Sequence, residues 1–358
     1  MVLFLSYIWN RIFTTNNVSN NLETNNLETN NSMNNDIYKN LEINKNFILN
    51  KSQNNIPIES VEKLVFEGGG VKGIAFLGSL SVIKDQLCNI NAYAGTSVGS
   101  ISATLLAIGY ELNEIKEIMW NTDFRKFFDH EYDVPRDVYS LIEKYGICSG
   151  DCFSTWITKL IKNKTGDEYY TFGKLWEERK KDLVMATTNI SYLNAEYLSY
   201  RNHPGMALKD AVRMSMSIPI VFDPVFFQNN YYVDGGVIDN YPIHVFDGKY
   251  PGDINAINNR VSPNKNTLGF RLLTNYDDTS ESESVKKYPI KNINSYSMAV
   301  FQGVLKSTSR QYNGDRNWNR SVQIYTHDIS ALDFGLSEKD KEELYQSGID
   351  AALDYFRK

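Results

Sequence analysis

KLVFEGGGVKGIAFLGSL, residues 63–80, decides the fold. Leu64 to Phe66 is a short β-rich run, and three glycines end it. Beyond them the apolar positions Val71, Ile74, Ala75, Leu77, Leu80, Ile83 and Leu87 recur at helical spacing. The order is strand, glycine loop, helix, and it repeats at once. INAYAG (90–95) reads as a second strand, GTSVG (95–99) as a turn and SISATLLAIGY (100–110) as a second helix, with a third over ELNEIKEIMW (111–120). Strands and helices in this alternation predict an α/β fold, its parallel sheet covered on both faces.

Outward from that core the pattern changes. Residues 122–180 mix aromatic and charged side chains and read as a helical cap, with helices over DVYSLIEKYG (137–146) and DCFSTWITKLIKN (151–163). KDLVMATTNI (181–190) returns to a buried strand, and AEYLSYRN (195–202) pairs beside it. ALKDAVRMSMSIP (207–219) is a helix stopped by Pro219, and NNYYVDGGVIDNYP (229–242) is a strand or hairpin ending in a glycine turn. TLGFRLL (267–273) is a further strand. Helices near SYSMAVFQGVLKSTSRQYN (295–313) and over SEKDKEELYQSGIDAALDYFRK (337–358) close the chain, with Ser337 and Asp340 spaced as a helix cap. On the amino-terminal side, residues 10–56 are dominated by asparagine, and NNLETNNLETNN (20–31) repeats itself. Such composition has too little apolar surface to offset the entropy of ordering, so residues 1–58 are expected to be a disordered leader and 59–358 one folded domain. The leader opens on MVLFLSYIW, which as a helix reaches only about 14 Å, roughly half a bilayer core.

Composition narrows the function. The chain of 358 residues carries a net charge of −6 and no basic stripe, which argues against nucleic-acid binding. Three cysteines, Cys88, Cys148 and Cys152, are odd in number and read as free thiols. Four scattered histidines, His130, His203, His244 and His327, give no metal-ligand pattern.

GTSVG carries the chemistry. A serine on a sharp strand-to-helix turn is lifted out of the sheet, with Gly95 and Gly99 letting neighbouring backbone come close. The following helix points its positive end at Ser97. The same serine could instead merely cap that helix. In GGGVKG (68–73) the consecutive glycines leave backbone N–H groups open to converge on an oxyanion, with Lys72 adding positive charge or lying solvated on the loop. The G-x-G-x-x-G spacing of Gly68, Gly70 and Gly73 also admits a nucleotide phosphate loop. For the proton acceptor, neither His203 in RNHPG nor His244 in YPIHVF has the context of a catalytic histidine. Asp234 in VDGGV follows an apolar run at a strand end, with Gly235 and Gly236 leaving room beside it, and could take the proton directly; an Asp-Gly turn is the plain alternative.

Taken together, GGGVKG at 68–73, GTSVGS at 95–100 and DGGVIDNYP at 234–242, in that order, resemble the patatin-like phospholipase family, as does MSMSIPIVFDPV at 214–225. The resemblance runs from about residue 61 to the end and implies a three-layer α/β/α sandwich with a mostly parallel sheet. It implies a Ser97–Asp234 dyad without histidine, and oxyanion donors from the backbone of Gly68, Gly69, Gly70 and Val71. Lys72, Gly73, Gly95, Gly99, Gly235 and Gly236 support those motifs. It implies cleavage of fatty-acyl esters of phospholipids with no metal and no cofactor, and transient contact with a membrane surface. Glu67 departs from the pattern, where an uncharged residue or aspartate is more usual, and is expected to point away from the oxyanion. Phe127 and Phe128, in the aromatic segment, are expected to shape an acyl pocket. An esterase or lipase on neutral or lysolipids, and a nucleotide-binding protein using GGGVKG, remain as alternatives. An activating protein partner is left open. Cysteine usage and the lack of a signal peptide favour an intracellular site, cytoplasmic or peripheral at membranes, over secretion or delivery to a host.

Overall fold

The computed structural model describes residues 55–127, 141, 143–273, 290, 293–310, 315–327, 329–331 and 333–357. Most of the expected leader, half of the DVYSLIEKYG helix and Phe128 lie outside these residues.

A mixed eight-stranded sheet forms the centre. Its strands are β1 (Lys63–Phe66), β2 (Ala92–Thr96), β4 (Asp182–Asn189), β5 (Asn194–Leu198), β7 (Val225–Phe227), β8 (Asn230–Asp234), β9 (Thr267–Leu273) and β10 (Ser321–Tyr325), while β3 (Gly146–Cys148) and β6 (Ile220–Phe222) pair separately. The spatial order is β10-β9-β1-β2-β4-β8-β7, with β5 beside β4. All pairs from β10 to β4 are parallel, and β5, β7 and β8 add antiparallel pairing.

The main helices are α1 (Ile74–Val82), α2 (Val98–Ala107), α3 (Leu112–Asn121), α4 (Asp151–Thr165), α5 (Phe172–Arg179), α6 (Leu208–Ser215), α7 (Ile293–Arg310) and α8 (Glu338–Phe356). Side chains alternate across each central strand. Leu64, Phe66, Tyr93, Leu183 and Met185 enter the large helix-covered core, whereas Val65, Ala94, Val184 and Ala186 enter a smaller one with Tyr241, Ile243 and Val245. The second face is thus covered partly by a single 3₁₀ turn, Ile243–Phe246, rather than by a long helix. The expected cap supplies α4 and α5 but also the short strand β3.

One expectation is modified. The helical run from Val71 to Leu87 divides into a 3₁₀ turn (Gly70–Gly73), α1, and a second 3₁₀ stretch (Lys84–Asn89). Every residue of α1 from Ile74 to Leu80 is buried, because the sheet lies on one side and α3 and α8 on the other. The cap of α8 forms as expected: Ser337 Oγ accepts from the Asp340 N–H (3.2 Å) and Asp340 Oδ2 accepts from the Ser337 N–H (3.0 Å).

Register explains why two distant motifs meet. On one edge of β4, Thr96 of β2 pairs with Ala186, and the next residue of β4, Thr187, pairs with Asp234 of β8. β5 occupies the other edge over Met185–Asn189, so β2 and β8 must share one edge. β2 runs parallel to β4 and β8 antiparallel, so their carboxyl ends face each other across one step of the ladder. Ser97 and Asp234 lie at that junction.

Away from the site, Arg320 makes a two-pronged pair with Asp247 (Nη1 to Oδ1 2.5 Å, Nη2 to Oδ2 2.7 Å), both side chains almost fully buried. Arg320→Ala leaves the buried carboxylate unpaired and is expected to destabilise by roughly 3–5 kcal/mol in chemical denaturation. Arg320→Met with Asp247→Leu should recover most of that loss.

Candidate active site

Ser97 follows β2 and precedes α2 with φ 53° and ψ −126°. A serine in that region is strained by on the order of 1–3 kcal/mol, so its surroundings must enforce it. Its N–H donates to Ser215 Oγ (3.0 Å), which in turn donates to the Ala186 carbonyl (2.7 Å). Its carbonyl accepts from the Ser100 N–H (2.8 Å) and Ser100 Oγ (2.6 Å). The turn is tight: a Cβ on Gly99 would lie 2.4 Å from the Phe66 carbonyl oxygen. Ser215 was not legible as a site residue, because nothing in MSMSIP distinguishes one serine from another.

Asp234 is fully buried. Its N–H donates to the Ser217 carbonyl (2.8 Å), and its Oδ1 accepts from the Gly236 N–H (2.8 Å). Burial pushes the carboxyl up to about 7, while the Gly236 N–H and the Ser97 hydroxyl pull it back. Oδ2 has no hydrogen-bond partner among the described residues, and Ser97 Oγ is turned toward Met216 Sδ at 3.4 Å. The direct bond between the hydroxyl and the carboxylate is open in this arrangement. A loose catalytic contact is common before substrate binds.

The glycine loop is not uniform. The Gly68 N–H donates to the Asn240 carbonyl (2.9 Å) and the Val71 N–H to the Ala331 carbonyl (3.0 Å). Among the described residues, the N–H groups of Gly69 and Gly70 have no such acceptor. Gly70 has φ +55°, and a Cβ there would lie 1.9 Å from the Ala331 oxygen. Gly70 and Ser97 line one cleft. Gly73 packs against Val98, and Gly235 against the Ala186 carbonyl and Thr96, so both stand where a side chain would collide. Lys72 is 6% exposed, which removes the solvated-lysine alternative. Glu67 is also buried, its Oε2 accepting from the Leu272 N–H (2.7 Å) and its Oε1 from Asn240 Nδ2 (3.4 Å). Its charge is turned to the end of β9.

The histidines pair elsewhere. His203 Nε2 bonds Glu196 Oε1 (3.1 Å), and His244 Nε2 bonds Asp239 Oδ2 (2.9 Å). Beside Ser97 the cleft is apolar, walled by Phe127, Phe153, Met216, Ile218, Phe222 and Phe334. Phe127 meets Phe153 edge-on at 5.3 Å, which fixes the wall against α4. Arg213 also reaches the cleft, but its guanidinium donates to the Ser149 (2.6 Å) and Asp223 (3.0 Å) carbonyls.

A sequence model of the patatin-like phospholipase family matches residues 64–247. An uncharacterized protein of Acanthamoeba polyphaga mimivirus is 32% identical over 304 residues, which cover 84% of this chain and 95% of the viral one. The chain belongs to the patatin-like phospholipase family. A probable lipid hydrolase of Invertebrate iridescent virus 6 is 29% identical over 182 residues, covering 51% of this chain and 62% of its own. The fold also resembles VipD from Legionella pneumophila, with a TM-score of 0.54 at 17% identity, over 83% of this chain and 67% of that one. As a patatin-like lipid hydrolase, the protein no longer needs the nucleotide-loop reading of GGGVKG. No helix among the described residues is long and apolar enough to cross a membrane.

Proposed function

We propose that this patatin-like protein is a serine acyl hydrolase that cleaves fatty-acyl esters of phospholipids. Ser97 attacks the ester carbonyl as Asp234 takes its proton. The N–H groups of Gly69 and Gly70 receive the oxyanion, with the Gly68 and Val71 peptides bracing the loop from either side. Collapse of the tetrahedral species leaves the acyl group on Ser97 and returns the proton to the departing alcohol. Water, deprotonated by Asp234, then releases the fatty acid. Base and oxyanion donors are both supplied by the chain, so the scheme needs no metal. The carrying observation is the shared edge of β4, which sets the carboxyl ends of β2 and β8 face to face with Ser97 strained and Asp234 buried.

The test is fatty-acid release from liposomes of mixed head groups, with excess chelator present. Release that survives chelation and favours phospholipid over triacylglycerol supports the proposal. Hydrolysis confined to neutral or lysolipids would replace it with the esterase reading.

The apolar wall predicts how substrates rank. Each methylene buried beside Phe127 and Phe153 is worth about 0.8 kcal/mol, close to fourfold in kcat/KM. Phe127→Asp is therefore expected to reduce hydrolysis of long-chain esters by at least tenfold more than that of a soluble acetate ester. Equal losses on both would show that Phe127 does not contact the acyl chain.

A further inference from the structure

Asn240 stands between the three motifs. Its carbonyl accepts from the Gly68 N–H (2.9 Å), and its Nδ2 donates to the Gly68 carbonyl (3.0 Å) and, at 3.4 Å, to Glu67 Oε1. One residue thus engages both polar groups of Gly68. The side chain is 2% exposed. A Cβ on Gly68 would lie 2.3 Å from Asn240 Oδ1 and 3.3 Å from Ser97 Cβ. A Cβ on Gly236, in the base turn, would lie 2.8 Å from the same Oδ1 and 3.1 Å from Asp234 Oδ1. The amide fills the space shared by oxyanion loop, nucleophile and base turn, and the two glycines leave that space to it. The residue before it anchors the same segment. Asp239 accepts from Thr96 Oγ1 at its carbonyl (3.0 Å) and from the Tyr197 hydroxyl at its carboxylate (2.7 Å), and its N–H donates to the Gly235 carbonyl (2.8 Å).

We propose that Asn240 is a positioning residue for the hydrolysis. It fixes Gly68, and through it the N–H groups of Gly69 and Gly70, at the distance from Ser97 that the oxyanion requires. This rests on the reading of Ser97 as nucleophile and of that loop as its oxyanion hole. Three successive glycines have little conformational preference of their own, so a two-point clamp at the first of them restricts the peptides that follow. Misplacement by about 1 Å costs on the order of 10²-fold in rate.

The experiment compares wild type, Ser97→Ala, Asn240→Ala and Asn240→Asp in the full chain. Asn240→Asp keeps the size and loses the donor, so it carries the test if Asn240→Ala does not fold. Kinetics on a soluble ester and the rate and final stoichiometry of fluorophosphonate labelling are measured well below each variant's melting temperature. The expected result is a fall of about 10²-fold in kcat with KM within about twofold of wild type. Labelling should slow by a similar factor yet reach the wild-type stoichiometry, which a partly unfolded variant would not do. A folded variant with kcat within about threefold of wild type, or with its loss in KM alone, overturns the proposal. Wild type that neither labels at Ser97 nor hydrolyses ester would overturn the functional reading itself. Labelled, active wild type beside equally active Asn240 variants would overturn only the role of Asn240.

Discussion

Ser97→Ala is expected to lower kcat for ester hydrolysis by on the order of 10⁶-fold, the size of loss seen when a serine hydrolase loses its nucleophile. No neighbouring group can substitute for it. Ser215, hydrogen-bonded to the Ser97 backbone, uses its hydroxyl to hold the Ser97 N–H and the Ala186 carbonyl. Thr96 Oγ1 donates to the Asp239 carbonyl (3.0 Å). Both are structural attachments on buried backbone. The alanine keeps the positive φ, so its strain is unchanged, and the lost contact is a weak one to Met216 sulfur. At acidic pH, where Asp234 is protonated, thermal stability is therefore expected to stay within about 0.5 kcal/mol of wild type, as for substitutions that remove no strong interaction. Fluorophosphonate labelling should vanish. Residual turnover above the uncatalysed rate would come from the glycine loop alone, whereas activity within tenfold of wild type would exclude Ser97 as the nucleophile.

The parts of the site legible in the sequence are those where backbone geometry dictates residue type. Gly95, Gly99 and the 68–70 triplet stand where a Cβ would strike a neighbour, mostly backbone, so composition reports shape. The pairing of β5 with β4 was equally legible, since KDLVMATTNI and AEYLSYRN are adjacent and differ in polarity. Strand β10 was not. Val322 and Ile324 are fully buried, but two apolar residues in SVQIY give too short an alternation to stand out. β3 and β6 are three residues each and pair with each other, far apart in sequence. Single polar residues hide most effectively. Ser215 and Asn240 have positions whose meaning lies in a partner far along the chain, Ser97 and Gly68. The junction of β2 and β8 on one edge of β4 belongs to the same class, because register is a property of pairs of strands.

Asp234→Asn is expected to lower kcat by about 10²–10⁴-fold or more, the contribution of a positioned general base. The amide is nearly isosteric and can still accept from the Gly236 N–H, so the turn should survive. The wild-type pH profile carries the sharper signature. Burial raises the carboxyl to about 7, and only the ionised form accepts a proton. kcat/KM should therefore rise tenfold per pH unit below about pH 7 and level off above it. A profile that levels off near pH 4 would mean that the base titrates as an ordinary exposed carboxylate, which fits neither its burial nor the dyad. Stability must run the other way. The folded pKa lies above the unfolded value of about 3.9, so the folded state binds the proton more tightly between those limits. This group's contribution is full below about pH 4 and is lost as pH rises through about 7. Asp234→Asn, which has no charge to desolvate, should thus be more stable than wild type at pH 8, by on the order of a few kcal/mol, and similar to it at pH 4. Ser97→Ala removes one of the groups that favour the ionised carboxylate, so in that variant the folded carboxyl titrates higher and the loss of stability should extend to higher pH. The same burial that makes Asp234 a strong enough base near neutrality makes its ionised form a burden on the fold. An enzyme whose Asp234→Asn variant loses activity and stability together at pH 8 would not have that burden, and Asp234 would then be held by compensating charge rather than by desolvation.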